Sequence, residues 1–273
     1  MIDLHMHTTA SDGRSTPAQL VAEVVASGVT TIAVTNHDTI GAWDEVRMAA
    51  AVAGIECIPG IEITAVADGR DVHMLGYFFD PLYQELVTFL EQQRIDRKRR
   101  VIEIGDRLAS LGVPVDLESA TLAPGPGRAL GRPIVAAALV KAGHVASIRE
   151  AFDLYLSEGK PAFIQRVGIS PAEVVALLGR AGGVTSMAHP GKTRKDHLIP
   201  DLIAAGLPAI EVYHPDHDDA DTARYRQMAN AFNVIATGGS DYHGPGSGRD
   251  GALGYIHMPA VDFARLAERA SRA

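Results

Sequence analysis

Residues 1–38 read MIDLHMHTTASDGRSTPAQLVAEVVASGVTTIAVTNHD, one complete strand–helix–strand unit. Met1–His5 is a short apolar run suited to a strand. Pro17–Ser27 repeats its apolar residues at helical spacing, with Ser15 or Thr16 as cap, Pro17 at the start and Gly28 past the end. Thr30–Thr35 is a second apolar run of strand length. Strand, helix and strand in alternation predict a parallel sheet covered by helices.

Working outward, the alternation continues with a helix over Gly41–Ala53 and strands over Ile55–Pro59, Ile61–Val66 and Val72–Phe79. It then breaks. Pro81–Leu111 is a long charged helical window containing RIDRKRR (Arg94–Arg100), followed by the Gly/Pro-rich APGPGRALGRP (Ala123–Pro133) and helical windows at Ile134–Ala142 and Ser147–Leu156. The alternation resumes with a helix Pro171–Ala181, a strand Gly183–Met187 and a helix Lys195–Ala205. A strand Ala209–Tyr213, a helix Ala220–Phe232 and a strand Val234–Thr237 come next, then a short strand Leu253–Met258 and a last helix. The reading is an α/β unit formed by residues 1–80 and 160–273, interrupted by a mostly helical insertion over residues 81–159.

Composition bounds the rest. The chain has 273 residues, 47% hydrophobic and 21% charged, ordinary globular values that exclude disordered and fibrous classes. Twenty-five basic residues against 33 acidic give a net charge of −8, which disfavours a broad nucleic-acid surface. A small anionic substrate stays compatible, because a metal or a local arginine can reverse the field in one pocket. The single cysteine, Cys57, excludes a disulfide framework or a thiolate-rich zinc module. No apolar stretch has membrane-spanning length and no signal peptide stands at the start, so a cytoplasmic protein is expected.

Histidines and carboxylates fall at the ends of these apolar runs. His5 and His7 follow the first, His37 and Asp38 the second, and Glu62 sits within IECIPGIEI. His73 lies in RDVHMLGY, His189 in GVTSMAHP, His214 closes AIEVYH, and Asp241 and His243 follow NVIATGGSDYH. In a closed parallel barrel the carboxyl ends of all strands share one mouth, where these groups would converge. His5 and His7, like Asp241 and His243, are spaced i, i+2 and project from one strand face. Imidazoles and carboxylates without thiolates make a mixed N/O site suited to Zn, Mn or Fe, and their number calls for two or three ions. Glu62 is the sharpest case, since an unpaired carboxylate in an apolar run is costly. Gly238–Gly239 is either a turn or a close backbone approach. His144, His197 and His257 follow no such run and read as ordinary.

The strings DLHMHT (Asp3–Thr8), SDG (Ser11–Gly13), NHD (Asn36–Asp38), PGIEI (Pro59–Ile63), VHMLGY (Val72–Tyr77), AHPG (Ala188–Gly191) and GGSDYHG (Gly238–Gly244) together resemble the PHP (polymerase and histidinol phosphatase) family of metal-dependent phosphoesterases. The resemblance implies a distorted seven-stranded β/α barrel, TIM-barrel-like, with a trinuclear centre at its mouth. By that similarity one ion takes His5, His7, Glu62 and Asp241. A second shares Glu62 and adds His73 and His189, and a third takes Asp12, His37 and His243. Asp12 enters only through the resemblance, because SDG by itself reads as a turn. Asp38 is expected to orient a ligand histidine. The insertion, with GRP (Gly131–Pro133), YLSEGKPAF (Tyr155–Phe163) and EVYHPDH (Glu211–His217), resembles the subgroup with a helical cap, whose members act on AMP, 3′,5′-bisphosphonucleotides or short RNA 5′ ends. Two positions depart from the pattern: Asn36 in TNHD, and Ile134 where a histidine usually follows the cap's Arg-Pro.

The expected reaction is phosphoester hydrolysis through a metal-bound hydroxide, with Glu62, Asp241, His189 and His214 at the reacting centre. Arg132, His214 and His217 are the substrate-binding candidates. Arg132 reads either as a bidentate phosphate clamp from the cap or as a solvated loop arginine, and His214 as a substrate contact, a leaving-group acid or a structural residue. Arg94–Arg100 reads as a solvated helix face or a steering patch. The substrate is expected to be a small phosphorylated nucleotide rather than duplex DNA. Histidinol-phosphate phosphatase, a polymerase-associated nuclease and a non-catalytic nucleotide-binding module with a relic metal site are the competing readings.

Overall fold

A computed structural model describes residues 1–118 and 130–272. The opening unit forms as its residues dictate: β1 (Ile2–Asp3), α1 (Pro17–Ser27) and β2 (Thr31–Ala33). Thr16 and Gln19 form a reciprocal capping box at the start of α1, and Gly28 ends it in the left-handed conformation at φ 76°. After α2 (Trp43–Ala53) comes β3 (Glu56–Ile58), and β1, β2 and β3 make a parallel three-stranded sheet. A second sheet takes the order β4 (Gly60–Ala67), β5 (Arg70–Tyr77), β6 (Val184–Met187), β7 (Ala209–Tyr213) and β8 (Ile235–Gly238). The fold is thus mixed α/β. The single parallel sheet expected from the alternation is divided into sheets of three and five strands.

The departure from parallel order begins at Asp68–Gly69, within the five-stranded sheet. These two residues, at φ 50° and 73°, turn β4 directly into β5, so the pair is antiparallel, and β5 is antiparallel to β6 as well. A two-residue Asp-Gly link is the sequence signature of a tight hairpin. Backbone bonds join the sheets at one end. Leu4 N–H donates to Gly238 O (3.2 Å), His7 N–H to Tyr242 O (2.8 Å), Glu62 N–H to Asn36 O (3.2 Å) and Asp38 N–H to Glu62 O (2.9 Å).

Two other expectations change. The run Leu253–Met258 is mostly turn, with Gly254 at φ 78°, and only Met258 pairs with Ile2. The helix expected over Lys195–Ala205 is a 3₁₀ turn followed by Ile199–Ala204, because Pro200 lacks the N–H that a helix interior requires.

The segment between β5 and β6 is mostly helical where described: α3 (Gln84–Ser110), α4 (Arg132–Lys141) and α5 (Ile148–Ala151), the last running into a π-turn over Phe152–Leu156. Most of the Gly/Pro-rich loop Ala123–Pro133 lies outside the described residues. Leu86 and Leu90 of α3 pack into the main core with Phe79, Met74 and Val174. Its second half, Val101, Ile104 and Leu108, enters a separate core with Val135, Leu139, Ala151 and Leu156.

Candidate metal centre

Glu62 is 1% exposed and stands in β4, where the two sheets meet. Its Oε2 lies 3.3 Å from His5 Nε2, 3.3 Å from His7 Nε2 and 3.2 Å from His37 Nδ1. Its Oε1 lies 2.7 Å from His73 Nδ1 and 3.2 Å from His189 Nε2. One carboxylate therefore touches five imidazoles. His5, His7 and His37 come from the loops after β1 and β2, and His189 from the turn after β6. His73 arrives differently. It lies inside β5, and the hairpin register Thr64↔His73 places it on the same sheet face as Glu62, two residues from Thr64. Strand ends therefore supply most of the site, and one hairpin supplies the rest.

Asp241 Oδ1 lies 3.4 Å from His5 Nε2 and 3.3 Å from His7 Nε2. Asp12, at the rim, lies 3.7 Å from His7, 3.6 Å from His37 and 3.4 Å from His243. Ligand-type atoms cluster in several sets: His7, Asp12, His37 and His243; His5, His7 and Asp241; His5, Glu62 and His189; His37, Glu62 and His73. All nine residues named by the resemblance meet in this bowl. Burial and the neighbouring His243 push His7 down to about 3, and burial holds His189 near 4, so both are neutral at physiological pH. Neutral imidazole is the form that offers a lone pair. Burial opposes ionisation of Glu62, yet His37, His73 and His5 hold its carboxyl well below the usual range.

Backbone strain accompanies the site. His189 (φ 28°) and Asp241 (φ 48°) adopt left-handed conformations that non-glycine residues avoid. Gly239 answers the turn-or-approach question: a Cβ there would meet His5 N at 2.4 Å, so its bareness lets the loop after β8 lie against β1. Asn36, the departure from the family's motif, is buried and accepts from Thr8 N–H (2.8 Å) and Ser11 Oγ–H (2.8 Å). It thereby ties down the loop that carries Asp12.

Three sequence expectations, those for His217, Asp38 and the basic run, are corrected. His217 donates from Nδ1 to Val212 O (2.8 Å) and accepts Gly191 N–H at Nε2 (3.1 Å), which leaves neither nitrogen for a substrate. His214 accepts Asp216 N–H at Nδ1 (3.0 Å) and meets Asp241 Oδ2 through Nε2 (3.3 Å). These contacts set His214 beside Asp241 in the bowl. Among the described residues no histidine ring bonds to Asp38; it accepts from Arg97 Nε (2.7 Å), Arg166 (2.9 Å) and Thr64 N–H (2.7 Å). The basic run is only partly solvated: Arg94 and Arg99 face water, while Arg97 turns inward to Asp38 and Leu130 O. His144, His197 and His257 lie away from the bowl, as expected.

Sequence reading passed over Glu211. It is fully buried in β7, with Oε1 2.8 Å from His5 Nδ1 and Oε2 accepting His189 N–H at 2.7 Å. The signal was available, since Glu211 interrupts the apolar AIEVY as Glu62 interrupts GIEI.

Beside the bowl, Gln93, Arg97, Arg100, Arg132 and Arg166 line a cleft of 210 Å³. Arg132 sits between the rings of Phe152 (5.9 Å) and Phe163 (5.7 Å) and reaches Asp71 at 3.4 Å. Burial, then the charge of Arg132, pulls Arg100 down to about 10, a sign of crowded positive charge. A neighbouring cleft of 370 Å³ runs from Ser11, Asp12 and His37 to Pro133, Ile134 and Ile148. Arg97 and Gly131 line both clefts.

No helix among the described residues is long and apolar enough to cross a membrane. Residues 3–110 match the PHP domain family. A 5′-3′ exoribonuclease of Haemophilus influenzae is 37% identical over 255 residues, 89% of this chain and 90% of that protein. A 3′,5′-nucleoside bisphosphate phosphatase of Chromobacterium violaceum is 32% identical over 90% of this chain and 88% of its own length. A Bifidobacterium adolescentis structure described as a metal-dependent phosphoesterase superposes with a TM-score of 0.88 at 32% identity, covering 98% of this chain and 96% of that one. By descent and by its gathered motif residues, this chain belongs to the PHP family of metal-dependent phosphoesterases and is a hydrolase.

Proposed function

We propose that this hydrolase removes phosphate from small nucleotides such as AMP or 3′,5′-bisphosphonucleotides, or trims the 5′ ends of short oligoribonucleotides, using two or three Mn, Fe or Zn ions. The observation that carries the reading is Glu62, whose two oxygens stand within 3.3 Å of five imidazole nitrogens. The donor set fits divalent cations: both ring nitrogens of His7, Nδ1 of His37 and Nδ1 of His189 are buried without a hydrogen-bond partner among the described residues. Buried polar atoms are seldom left so, and a cation among them would satisfy their lone pairs. His5, His7, Glu62 and Asp241 would hold one ion, Glu62, His73 and His189 a second, and Asp12, His37 and His243 a third. Bound ions supply Lewis-acid activation of water and neutralise charge on the phosphoryl group.

The chain's own residues do the remainder. Glu62 and Asp241 keep the imidazoles at fixed separations, and His214 and Arg249 pin the outer oxygen of Asp241 at 3.3 and 3.1 Å. Arg132, with Arg97 and Arg100 beside it, receives a second phosphate or the nucleotide's remaining charge, and Ile134 and Pro133 give the base an apolar wall. Residues 81–159 act as a cap on a distorted barrel made by residues 1–80 and 160–273. A cap so placed excludes water and admits small esters or frayed ends in preference to duplex DNA.

The test is a panel: phosphate release from AMP, adenosine 3′,5′-bisphosphate, histidinol phosphate, a 5′-phosphorylated short RNA and duplex DNA, with Mn²⁺ added and metal content measured. The expected result is two or three equivalents of metal and turnover of the nucleotides or short RNA. Preference for histidinol phosphate would replace the substrate assignment. Less than one equivalent after reconstitution would overturn the polynuclear centre.

A further inference from the structure

Glu211 lies outside the nine residues assigned to the ions, although its carboxylate clusters with His5 and His214, and it touches two ligand residues assigned to different ions. It faces inward from β7 and pairs in register with Thr237 of β8, with 0% exposure. A carboxylate so deep is costly unless both oxygens are bonded, and here both bonds go to the centre. Oε1 takes the Nδ1–H of His5 at 2.8 Å. That bond orients the ring and aims Nε2 into the centre, 3.3 Å from Glu62 Oε2 and 3.4 Å from Asp241 Oδ1. Oε2 takes the backbone N–H of His189 at 2.7 Å.

His189 needs that anchor. Its φ of 28° and ψ of 60° are unfavourable for any side-chain-bearing residue, and Pro190 immediately after it disfavours such conformations further. Held there, the ring brings Nε2 to 3.2 Å from Glu62 Oε1. One buried carboxylate thus aims a ring on one side of Glu62 and a strained backbone on the other.

We propose that Glu211 is a positioning residue that sets the metal affinity of the centre through His5 and His189 together. The inference rests on the metal-centre reading above and adds a residue to it.

The test compares Mn²⁺ binding by wild type, Glu211→Gln and Glu211→Asp after chelator treatment, using titration and elemental analysis, beside steady-state kinetics and thermal melting of the metal-free proteins. Glu211→Gln keeps the shape and loses the charge, so Mn²⁺ affinity should fall roughly 10–100-fold. Lost kcat should return partly with excess Mn²⁺, while KM stays within about twofold, because the residue is remote from the arginine cleft. Glu211→Asp keeps the charge and should recover part of the affinity. A purely structural Glu211 would lower the melting temperature and leave Mn²⁺ affinity at the wild-type value; that result overturns the proposal. Should Glu211→Gln fail to fold, Glu211→Asp decides alone: weakened Mn²⁺ binding supports the role, and unchanged binding refutes it. If wild type itself binds no Mn²⁺, the metal-centre reading fails with it, whereas intact wild-type binding and an indifferent Glu211→Gln sink only this inference.

Discussion

Glu62 and Asp38 are both buried carboxylates, and the N–H of Asp38 donates to the carbonyl of Glu62 at 2.9 Å. Their surroundings differ in kind. Glu62 is ringed by imidazoles, Asp38 by the guanidiniums of Arg97 and Arg166. Imidazole can shed its proton near neutrality and offer a lone pair, so the positive charge around Glu62 can be exchanged for a cation. Guanidinium cannot, so Asp38 is permanently neutralised. One region gathers groups that could hold ions, and its neighbour ties α3 and Arg166 to the residue after His37.

The comparison breaks most visibly at Glu62. Glu62→Gln should lower kcat on the order of 10²–10³-fold or more and reduce bound metal, since one carboxylate serves all five rings. Metal content and single-turnover rates check it; near-wild-type values for both would make Glu62 structural. Asp38→Asn should do the reverse. Leaving two arginines without their buried partner should cost about 3 kcal/mol of stability, read by chemical denaturation. Metal stoichiometry of the folded fraction should stay the same. If Asp38→Asn instead emptied the centre at unchanged stability, the division between the two regions would fail.

The two regions were also unequally legible in the sequence. The bowl could be read because strand geometry puts i, i+2 pairs such as His5 and His7 on one face and strand ends at one mouth. His73 sat in the right bowl for a different reason, the Asp68–Gly69 hairpin, whose dipeptide signature the strand–helix alternation masked. Asp12 carried no local signal beyond a turn. The arginine side could not be read at all: Arg97 meets a carboxylate 59 positions away and Arg132 one 61 away, contacts that only the folded chain creates. Within Arg94–Arg100 nothing local marks Arg97 and Arg100 as members that turn inward while Arg94 pairs with Glu91 at the surface. The antiparallel pairing of β4 with β5 likewise follows from one turn that no periodicity registers.

Arg132 sharpens the contrast further, since it belongs to the cap and to neither carboxylate. Arg132→Ala should lower kcat/KM on nucleotide substrates roughly 10–100-fold, equivalent to ~1.5–3 kcal/mol for a charge-assisted contact. Metal content should not change. Unaltered kinetics on both AMP and adenosine 3′,5′-bisphosphate would remove Arg132 from the substrate cleft, leaving Arg97 and Arg100 to carry it.

The smallest effect is expected at Cys57 in β3, a third largely enclosed ionisable group and the control for the other two. Hydrogen-bonding imidazoles hold the Glu62 carboxyl down, and the guanidiniums of Arg97 and Arg166 do the same for Asp38. Cys57 has only a weak pull from Arg47, so burial dominates and pushes its thiol from the ordinary 9.0 up to about 12. The sign follows directly. The folded chain holds the proton more tightly than the unfolded one, so the stabilising contribution is complete below pH 9.0 and is lost as pH climbs toward about 12. At pH 8 the folded protein should carry roughly a thousandfold less thiolate than an unfolded chain, and thiolate is the reactive form. Reaction with a chromogenic disulfide should therefore be slow in the native protein and rise by orders of magnitude in denaturant, with activity untouched by brief exposure. A native rate within about tenfold of the denatured one would mean that burial alone does not hold a group neutral here, and the argument that imidazoles and guanidiniums keep Glu62 and Asp38 ionised would lose its control.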